Sequence, residues 1–427
     1  MDNINQFAEI LNSGDLKYET IVEFDGCDPL APFAEKFDLP NGLIYLDGNS
    51  LGAMPKTVPG YLENEIKEGW AKGLIRSWNG KGWHNMPLTL GNRLAPMMGA
   101  DAGEVLLVDS TSLNLFKTLV AAIKMRPGRS NVVSEKGNFP SDVHIMQGVI
   151  DNFFPQINLV LAEENDEDIL SCITAETAVV TLTHVNYKTG EIRNMARITE
   201  VAHEMGALVI WDLAHTLGAL PVDLNACEVD FAVGCSYKYL NGGHGAPAYL
   251  FVAARHLKEA QNTLTGWQGH AKPFDFEIDY EPADSVEKFR CGTPAIFSYL
   301  ALEKSLDIFD LVNFVELREK SKNLTQLFIT LIEQTCAGFG LELYSPRDSE
   351  KRGSHVSLTH VNGWEIMQAL ISRDVIGDFR APNILRFGFT PLYTSYVDVW
   401  HSVRILHDIL DKESWKDPAF SVRALVT

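Results

Sequence analysis

The chain has 427 residues, of which 46% are hydrophobic and 22% are charged, so it is long enough for one large domain and a smaller one. Its 36 Lys and Arg residues against 56 Asp and Glu residues give a net charge of -20, the wrong sign for binding nucleic acid or an anionic membrane surface. The start shows no secretory signal, and we expect a cytoplasmic protein. The six cysteines form no C-x-x-C pair, so the sequence predicts neither a disulfide framework nor a metal site.

The first hundred residues read as an arm rather than as a separate domain. A short apolar run at 44–46 is followed by a polar stretch, and residues 69–83 are rich in Gly and Trp. We predict that residues 1–100 form an N-terminal arm that packs on both domains and contains the start of the smaller one.

Residues 101–300 alternate short apolar runs with helical patterns, which is typical of βαβ units around a mostly parallel sheet. Helices are predicted at 113–125 and 198–205 from apolar residues at three-to-four spacing. The predicted strands are 104–108, 131–133, 157–161, 178–182, 207–211, 231–233 and 248–252. We assign this region to a large α/β domain, whose ligands are expected beyond the carboxyl ends of the strands.

Residues 301–427 change pattern and are predicted to form a smaller α+β domain. One long helical pattern runs from 296 to about 331 and is interpreted as a connecting helix. Strands are predicted at 341–344, 355–358 and 385–389, with helices between them.

Lys238 and Asp212 each follow a predicted buried strand. Either residue alone has an ordinary explanation, since a Lys often lies in a surface loop and an Asp often caps a helix. Together they are the groups that pyridoxal 5'-phosphate (PLP) chemistry requires, a Lys that forms a Schiff base and an Asp that pairs with the pyridinium nitrogen. The tight Gly242-Gly243 turn just after Lys238 favours this interpretation.

Other polar residues fall at the same predicted edge. Thr111 and Ser112 lie between a strand and a helix, where hydroxyls and backbone N–H groups can bind a phosphate or simply cap the helix. Tyr237, beside Lys238, can reach the same phosphate. His215 can contact the cofactor or serve a structural role, and Thr183 either contacts it or packs at a strand end.

Two further features suggest ligand contacts. The segment Phe139-Pro140-Ser141-Asp142 opens a helix, and its aromatic ring can stack on a pyridine. Arg386 lies between apolar strand residues and therefore needs an anion, which can be an amino-acid carboxylate or a carboxylate of the protein itself.

Several motifs, in order along the chain, match one family. They are residues 45–52, 74–78, 137–142, 211–215, 236–243, 266–267, 292–294 and the strand around Arg386. With these motifs the chain resembles the bacterial kynureninases, PLP-dependent enzymes of the aspartate aminotransferase fold type. The resemblance implies the PLP-dependent transferase-like fold type I over almost the whole chain.

The resemblance also implies roles for individual residues. Lys238 would hold PLP in a Schiff base, Asp212 would pair with its ring nitrogen, and Arg386 would clamp the substrate's α-carboxylate. The other cofactor contacts implied are Thr111, Ser112, Phe139, Pro140, Ser141, Asp142, Thr183, His215 and Tyr237, with Trp267 and Thr293 reaching in from the partner subunit. Some family members have Asn where this chain has Thr293. Trp78, with Trp83 and His84, is a candidate lining for the slot that takes the substrate's aryl ring.

The implied reaction is hydrolysis of L-kynurenine to anthranilate and L-alanine by cleavage of the Cβ–Cγ bond, with 3-hydroxykynurenine as a further candidate substrate. Lys238 would remove the Cα proton, and Tyr237 is the candidate for proton transfer at the cleavage stage. The family also implies a homodimer with shared active sites and a place in tryptophan catabolism and NAD biosynthesis.

The alternative within PLP enzymes is a cysteine desulfurase or selenocysteine lyase. Desulfurases use a nucleophilic Cys on a loop near the small domain, and residues 374–383 contain none. An inactive relative is disfavoured because Lys238, Asp212 and Arg386 are all present, and a DNA-binding regulator would need a basic appended segment.

Overall fold

The computed structural model describes residues 16–423. The expectation about a secretory signal and the beginning of the predicted arm fall on residues 1–15, which lie outside this range, as do residues 424–427. The strands are β1 (Ile44–Tyr45), β2 (Val105–Leu107), β3 (Asn131–Glu135), β4 (Asn158–Ala162), β5 (Thr177–Thr183), β6 (Leu208–Asp212), β7 (Phe231–Gly234), β8 (Tyr249–Val252), β9 (Glu342–Leu343), β10 (His355–Thr359), β11 (Val375–Ile376), β12 (Asp378–Arg380) and β13 (Ile384–Gly388). The α-helices are α1 (Tyr18–Gly26), α2 (Val58–Asn64), α3 (Ser77–Gly80), α4 (Met86–Leu94), α5 (Thr111–Lys124), α6 (Pro140–Phe153), α7 (Asp166–Cys172), α8 (Met195–Glu204), α9 (Ile296–Phe309), α10 (Phe314–Thr335), α11 (Gly363–Ile371) and α12 (Tyr396–Asp411).

The largest sheet has seven strands in the order β2-β8-β7-β6-β5-β3-β4. Neighbours from β7 to β4 run parallel, whereas β8 is antiparallel to both β7 and β2. Strands β5 and β6 are buried at every position, which explains their unbroken apolar runs, since both faces of the sheet are covered. The predicted α/β fold with a mostly parallel sheet is confirmed.

Helices on both faces of this sheet place their N-termini at its carboxyl edge. Helix α5 begins after Ser110, whose Oγ accepts a hydrogen bond from the N–H of Leu113 at 3.4 Å. Its apolar residues, such as Leu119 and Val120, pack in one core cluster, while Ile198 of α8 packs in another. The two helices predicted in this region are confirmed, and each begins a few residues earlier than predicted.

A second, antiparallel sheet has the order β12-β13-β10-β9 and packs against α10 and α11, and α12 packs on these two helices. The rings of Phe328 and Phe387 lie 4.9 Å apart in its core. The single helical pattern predicted from 296 to about 331 is wrong: the helix is divided into α9 and α10. Asn313 causes the restart, because its side chain accepts a hydrogen bond from the N–H of Val315 at 3.0 Å and caps α10.

The N-terminal segment joins the second sheet to the loop that follows β7. Strand β1 pairs in parallel with β11 in a separate two-stranded sheet, and the Gly388 N–H of β13 donates to the Leu46 carbonyl at 2.7 Å. The Gly52 N–H donates to the Tyr237 carbonyl at 2.8 Å. A Cβ at Gly52 would lie 2.3 Å from the Lys238 carbonyl oxygen, so only glycine permits this close approach. Strands β11 and β12 lie in residues 374–383, where sequence analysis predicts no strand.

Within residues 16–423, no helix is both long and apolar enough to span a membrane.

Candidate active site

A cleft opens at the carboxyl edge of the seven-stranded sheet. Strands β5, β6 and β7 all end in it, as expected for ligand sites in parallel sheets. Its lining residues are Thr111, Ser112, Phe139, Ser141, Asp142, Thr183, Tyr187, Asp212, Ala214, His215, Cys235, Tyr237 and Lys238. Most of the residues predicted from the sequence are therefore brought together in one cleft.

Lys238 follows β7 and faces His215, with Lys238 Nζ and His215 Nε2 3.2 Å apart. His215 is 4% exposed, and its pKa is lowered well below the usual value, first by burial and then by the charge of Lys238. His215 is therefore neutral at neutral pH, and a neutral imidazole beside an amine can exchange a proton with it.

Asp212 ends β6 and forms a buried carboxyl pair with Asp142 of α6. Burial, followed by the negative charge of Asp212, raises the pKa of Asp142 well above the usual value. Burial also raises the pKa of Asp212, but the Lys238 charge and a 2.7 Å hydrogen bond from the Ala214 N–H act against the rise. The proton of the pair therefore lies on Asp142, and Asp212 is the carboxylate.

Two helix N-termini meet at one end of the cleft, which we call the phosphate end and define by Thr111, Ser112 and Ser141. Thr111 and Ser112 are the first residues of α5, and Ser141 lies in the first turn of α6 after Pro140. The Oγ atoms of Ser112 and Ser141 lie 3.1 Å apart. Unpaired N–H groups and the positive ends of helix dipoles favour an anion here.

An ion pair between a buried lysine and a partly exposed aspartate lies next to the phosphate end. Lys117 of α5 is fully buried, donates to the Phe289 carbonyl at 2.7 Å and also donates to Asp109. Asp109 precedes the helix cap and has a φ of 49°, a left-handed conformation that non-glycine residues seldom adopt. Lys117 thus stabilises the turn that presents Thr111 and Ser112.

Phe139 and Thr183 are positioned by a shared neighbour, Asn138. The Asn138 Oδ1 accepts hydrogen bonds from the Phe139 N–H at 2.7 Å and from the Thr183 hydroxyl at 2.5 Å. The Phe139 ring, 41% exposed, meets the Tyr187 ring edge-on with centroids 5.1 Å apart. The exposed ring face is available to a planar ligand.

Arg386 of β13 lies beyond these residues, at what we call the carboxylate end, defined by Ser50, Asp378, Arg380 and Arg386. Arg386 is 1% exposed, and its Nε donates to the Asp378 Oδ1 at 2.8 Å while its Nη2 donates to Oδ2. Its Nη1 donates to the Tyr187 carbonyl at 2.7 Å. The internal carboxylate that sequence analysis left open as a partner of Arg386 is therefore present.

Five predicted residues are not among those that line the cleft of the same chain: Pro140, which precedes Ser141 in α6, Arg386 at the carboxylate end, and Trp78, Trp267 and Thr293. Trp78 and Trp267 are the two ends of a row of aromatic rings. Measured between ring centroids, Trp78 lies 5.9 Å from His84 and His84 lies 5.3 Å from Phe274. Phe274 in turn lies 5.8 Å from Trp267. Thr293 lines a separate depression formed with Asp109 and Tyr299.

Sequence analysis missed Tyr187, Ser50, Asp378 and Arg380. Ser50 lies within a motif that was recognised, but its contacts come from strands more than three hundred positions away. The Asp378-x-Arg380 alternation places two charged side chains on one face of a strand, a period-2 signal that could have identified them.

The residues of the cleft fit PLP. Two buried carboxyls lie side by side at its base, and the Asp142 Oδ2 has no hydrogen-bond partner among the described residues, so the pair lacks a cationic donor such as a protonated ring nitrogen. Lys238 supplies an amine, Phe139 an exposed aromatic face, and the phosphate end an anion site.

Two solved structures share the fold of this chain at low sequence identity. A cysteine desulfurase from Thermococcus onnurineus NA1 matches with a TM-score of 0.74 and 18% identity, covering 89% of this chain and 98% of that one. A cysteine desulfurase from Escherichia coli matches with a TM-score of 0.75 and 18% identity, covering 90% and 98%. These likenesses show the fold, which is fold type I.

Sequence relatives are much closer. The chain is 48% identical over 413 residues to the kynureninase of Burkholderia pseudomallei (strain K96243), covering 96% of this chain and 99% of that protein. It is 48% identical over 410 residues to the kynureninase of Pseudomonas fluorescens, covering 95% and 98%. Residues 317–406 match the family model of the kynureninase C-terminal domain. The chain belongs to the kynureninase family.

Proposed function

We propose that this protein hydrolyses L-kynurenine to anthranilate and L-alanine, using PLP. The observation that carries the proposal is the cleft in which Lys238 and Asp212 lie at neighbouring strand ends, in a chain that is 48% identical to kynureninases over nearly its full length. Bound PLP supplies an electron sink for charge that develops at the substrate's Cα.

Lys238 is the proposed amine for cofactor attachment and the base that removes the Cα proton. The contact of its Nζ with the neutral His215 Nε2 supports this role, because His215 can take up or return a proton as Lys238 changes its charge. Asp212, held as a carboxylate by the hydrogen bond from the Ala214 N–H, would keep the ring nitrogen protonated.

Tyr237 is the proposed proton donor and acceptor at the γ-carbonyl, where water adds before the Cβ–Cγ bond breaks. The neighbouring Cys235 thiol, followed by burial, raises the pKa of Tyr237. The hydroxyl is therefore protonated at neutral pH and can donate its proton to the substrate. We expect Tyr237→Phe to retain PLP and to lose steady-state turnover; turnover close to wild type would exclude the role.

We further propose a homodimer in which Trp267 and Thr293 complete the partner's phosphate end and Trp78 lines the aryl slot. Support comes from their position outside their own chain's cleft and from large apolar side chains exposed on the same segments. The exposed side chains are Trp70, Leu74, Ile75, Phe274, Phe276 and Ile278.

The domain division, location and pathway are also proposals. The separate core clusters of the two sheets support a large domain at 101–300 and a small one at 301–427, with residues 1–100 as the arm. A cytoplasmic enzyme of tryptophan catabolism or NAD biosynthesis fits the proposed reaction.

The test is to mix the PLP-loaded protein with L-kynurenine, 3-hydroxykynurenine and L-cysteine in separate assays, following anthranilate fluorescence for the first and sulfide for the last. We expect anthranilate release from L-kynurenine and no sulfide. Sulfide without anthranilate would favour the desulfurase alternative, which is supported here only by the fold.

A further inference from the structure

We infer that Arg380 is a second ligand of the substrate's α-carboxylate, and that Asp378 holds Arg380 and Arg386 together as one anion-binding pair. The inference rests on the proposed function, since it assigns a partner to the carboxylate of the proposed amino-acid substrate. The contacts of the two guanidinium groups carry it.

The N–H groups of Arg386 are almost all engaged within the protein. Its Nε and Nη2 donate hydrogen bonds to the two carboxylate oxygens of Asp378. Its Nη1 donates to the Tyr187 carbonyl, and its Nη2 also donates to the Ser50 Oγ at 3.0 Å. Only one N–H, on Nη1, is left for a ligand. A two-pronged clamp on a carboxylate by Arg386 alone would require breaking contacts that the buried guanidinium already makes.

Arg380 has the donors that Arg386 lacks. Its Nη2 donates to the Asp378 Oδ2 at 2.8 Å and to the Ser50 Oγ at 3.4 Å, so the two guanidinium groups share the same two partners. The Arg380 side chain is 41% exposed, and within residues 16–423 its Nη1 makes no hydrogen bond. Arg380 therefore presents free N–H groups beside a site where Arg386 is nearly saturated.

The net positive charge of Arg380, Arg386 and Asp378 together also favours a bound anion. Two guanidinium groups share the carboxylate of Asp378, and the other carboxyl group near them, that of Asp47, has its pKa raised by burial and by the charge of Asp378. Burial, followed by repulsion from Arg386, lowers the pKa of Arg380. An added carboxylate would relieve this repulsion, since charges removed from water need compensation.

The Arg380 charge is close enough to act on residues of the cleft. The pKa of His215 is lowered first by burial and then by Lys238, and Arg386 and Arg380 add to the effect. Arg380 also acts on Tyr237, another lining residue. Arg386 donates to the carbonyl of Tyr187, which lines the cleft, so a carboxylate bound between the two arginines would lie on the side of the cleft that Tyr187 forms.

The test compares Arg380→Met and Arg380→Lys with wild type in two assays. The first titrates L-alanine and L-alaninamide, which lacks the carboxylate, into the PLP-loaded protein and follows the absorbance of the bound cofactor. The second measures kcat and KM for L-kynurenine. Arg373→Met is the matched control, because Arg373 forms an exposed pair with Asp408 on the same domain.

We expect the ratio of the affinities for L-alanine and L-alaninamide to fall at least about tenfold in Arg380→Met. KM for L-kynurenine should rise by a larger factor than kcat falls. Arg380→Lys keeps the charge and should recover part of both effects, and Arg373→Met should match wild type.

The inference would be overturned if folded Arg380→Met kept both the wild-type preference for L-alanine over L-alaninamide and the wild-type KM for L-kynurenine. If Arg380→Met does not fold, an unchanged preference and KM in Arg380→Lys would overturn it instead, because a Lys cannot reproduce the guanidinium fork. Failure of the proposed function gives a different result: the wild-type protein would bind L-alanine but release no anthranilate.

Discussion

The two ends of the cleft, which we propose as anion sites, are built differently. At the phosphate end, Thr111, Ser112 and Ser141 come from the starts of two helices, and the binding groups are largely backbone N–H groups near the segment that orients them. At the carboxylate end, Ser50 and Arg386 are separated by 336 positions, and the binding groups are side chains oriented by one buried carboxylate. The first end is a property of local structure, whereas the second exists only in the assembled fold.

This difference predicts different failures. A backbone site survives the loss of any one side chain that contacts the ligand, because helix N-termini keep their unpaired N–H groups. A side-chain site held by one carboxylate fails when that carboxylate is removed. Substitutions at the two ends should therefore differ in the size of their effects.

Asp378→Ala should have the largest effect. It leaves the buried Arg386 and its neighbour Arg380 without their shared partner, which costs about 3–5 kcal/mol for a broken buried pair. We expect a lower melting temperature and a large loss of kcat/KM, while PLP added in excess still binds. Asp408→Ala, which breaks an exposed pair, is the control and should change stability little. Normal kcat/KM in Asp378→Ala would refute the side-chain account of the carboxylate end.

Lys117→Met tests the support behind the phosphate end. The substitution removes charge-assisted hydrogen bonds to Asp109 and to the Phe289 carbonyl, worth about 1.5–3 kcal/mol each. We expect PLP to dissociate about tenfold more readily, measured by cofactor release on dilution, with KM for L-kynurenine near normal at saturating PLP. Lys124→Met, at the exposed end of the same helix, is the control. A raised KM with unchanged PLP affinity would contradict the assignment.

The carboxylate end should also respond to pH through Asp47. Burial, followed by the negative charge of Asp378, raises the pKa of Asp47 to about 7. The titratable and charged groups that face it are Tyr45, Tyr239, Asp378, Arg380, Arg386 and Tyr393.

Because the pKa is raised, Asp47 is neutral below about pH 7 and ionises above it, and the new negative charge competes with the substrate's carboxylate for the arginines. KM for L-kynurenine should therefore rise severalfold as the pH rises through this range. Asp47→Asn should flatten that part of the profile, and an unchanged profile in the variant would exclude Asp47 as its source.

Ser112→Ala should have the smallest effect. It removes one hydroxyl and the 3.1 Å contact with Ser141, but leaves the N–H groups of α5 in place. We expect PLP affinity to fall by less than about tenfold, since an ordinary hydrogen bond contributes about 1 kcal/mol. A loss as large as that of Lys117→Met would show that the phosphate end also depends on single side chains.

The same contrast explains what could be predicted from the sequence. The apolar runs of β5 and β6 predicted the parallel sheet, and residues that follow such strands, such as Asp212 and Lys238, necessarily meet at its carboxyl edge. Thr111 and Ser112 could be predicted because strand, cap and helix are adjacent in the chain.

The carboxylate end could be predicted only in part. Arg386 was found because a charge between apolar residues needs a partner, but its partner lies on β12, an edge strand of three residues whose only signal is the alternation of Asp378 and Arg380. The division between α9 and α10 was missed for a similar reason, since it depends on one capping residue, Asn313.

The central claim is that this protein cleaves the Cβ–Cγ bond of L-kynurenine with Lys238 as the essential amine. The most direct measurement is to quantify anthranilate and L-alanine formed by the PLP-loaded wild-type protein and by Lys238→Ala under the same conditions. The account predicts equal amounts of both products from wild type and neither from the variant. Wild-type protein that carries PLP but forms no anthranilate, or a Lys238→Ala variant that turns over like wild type, would contradict it.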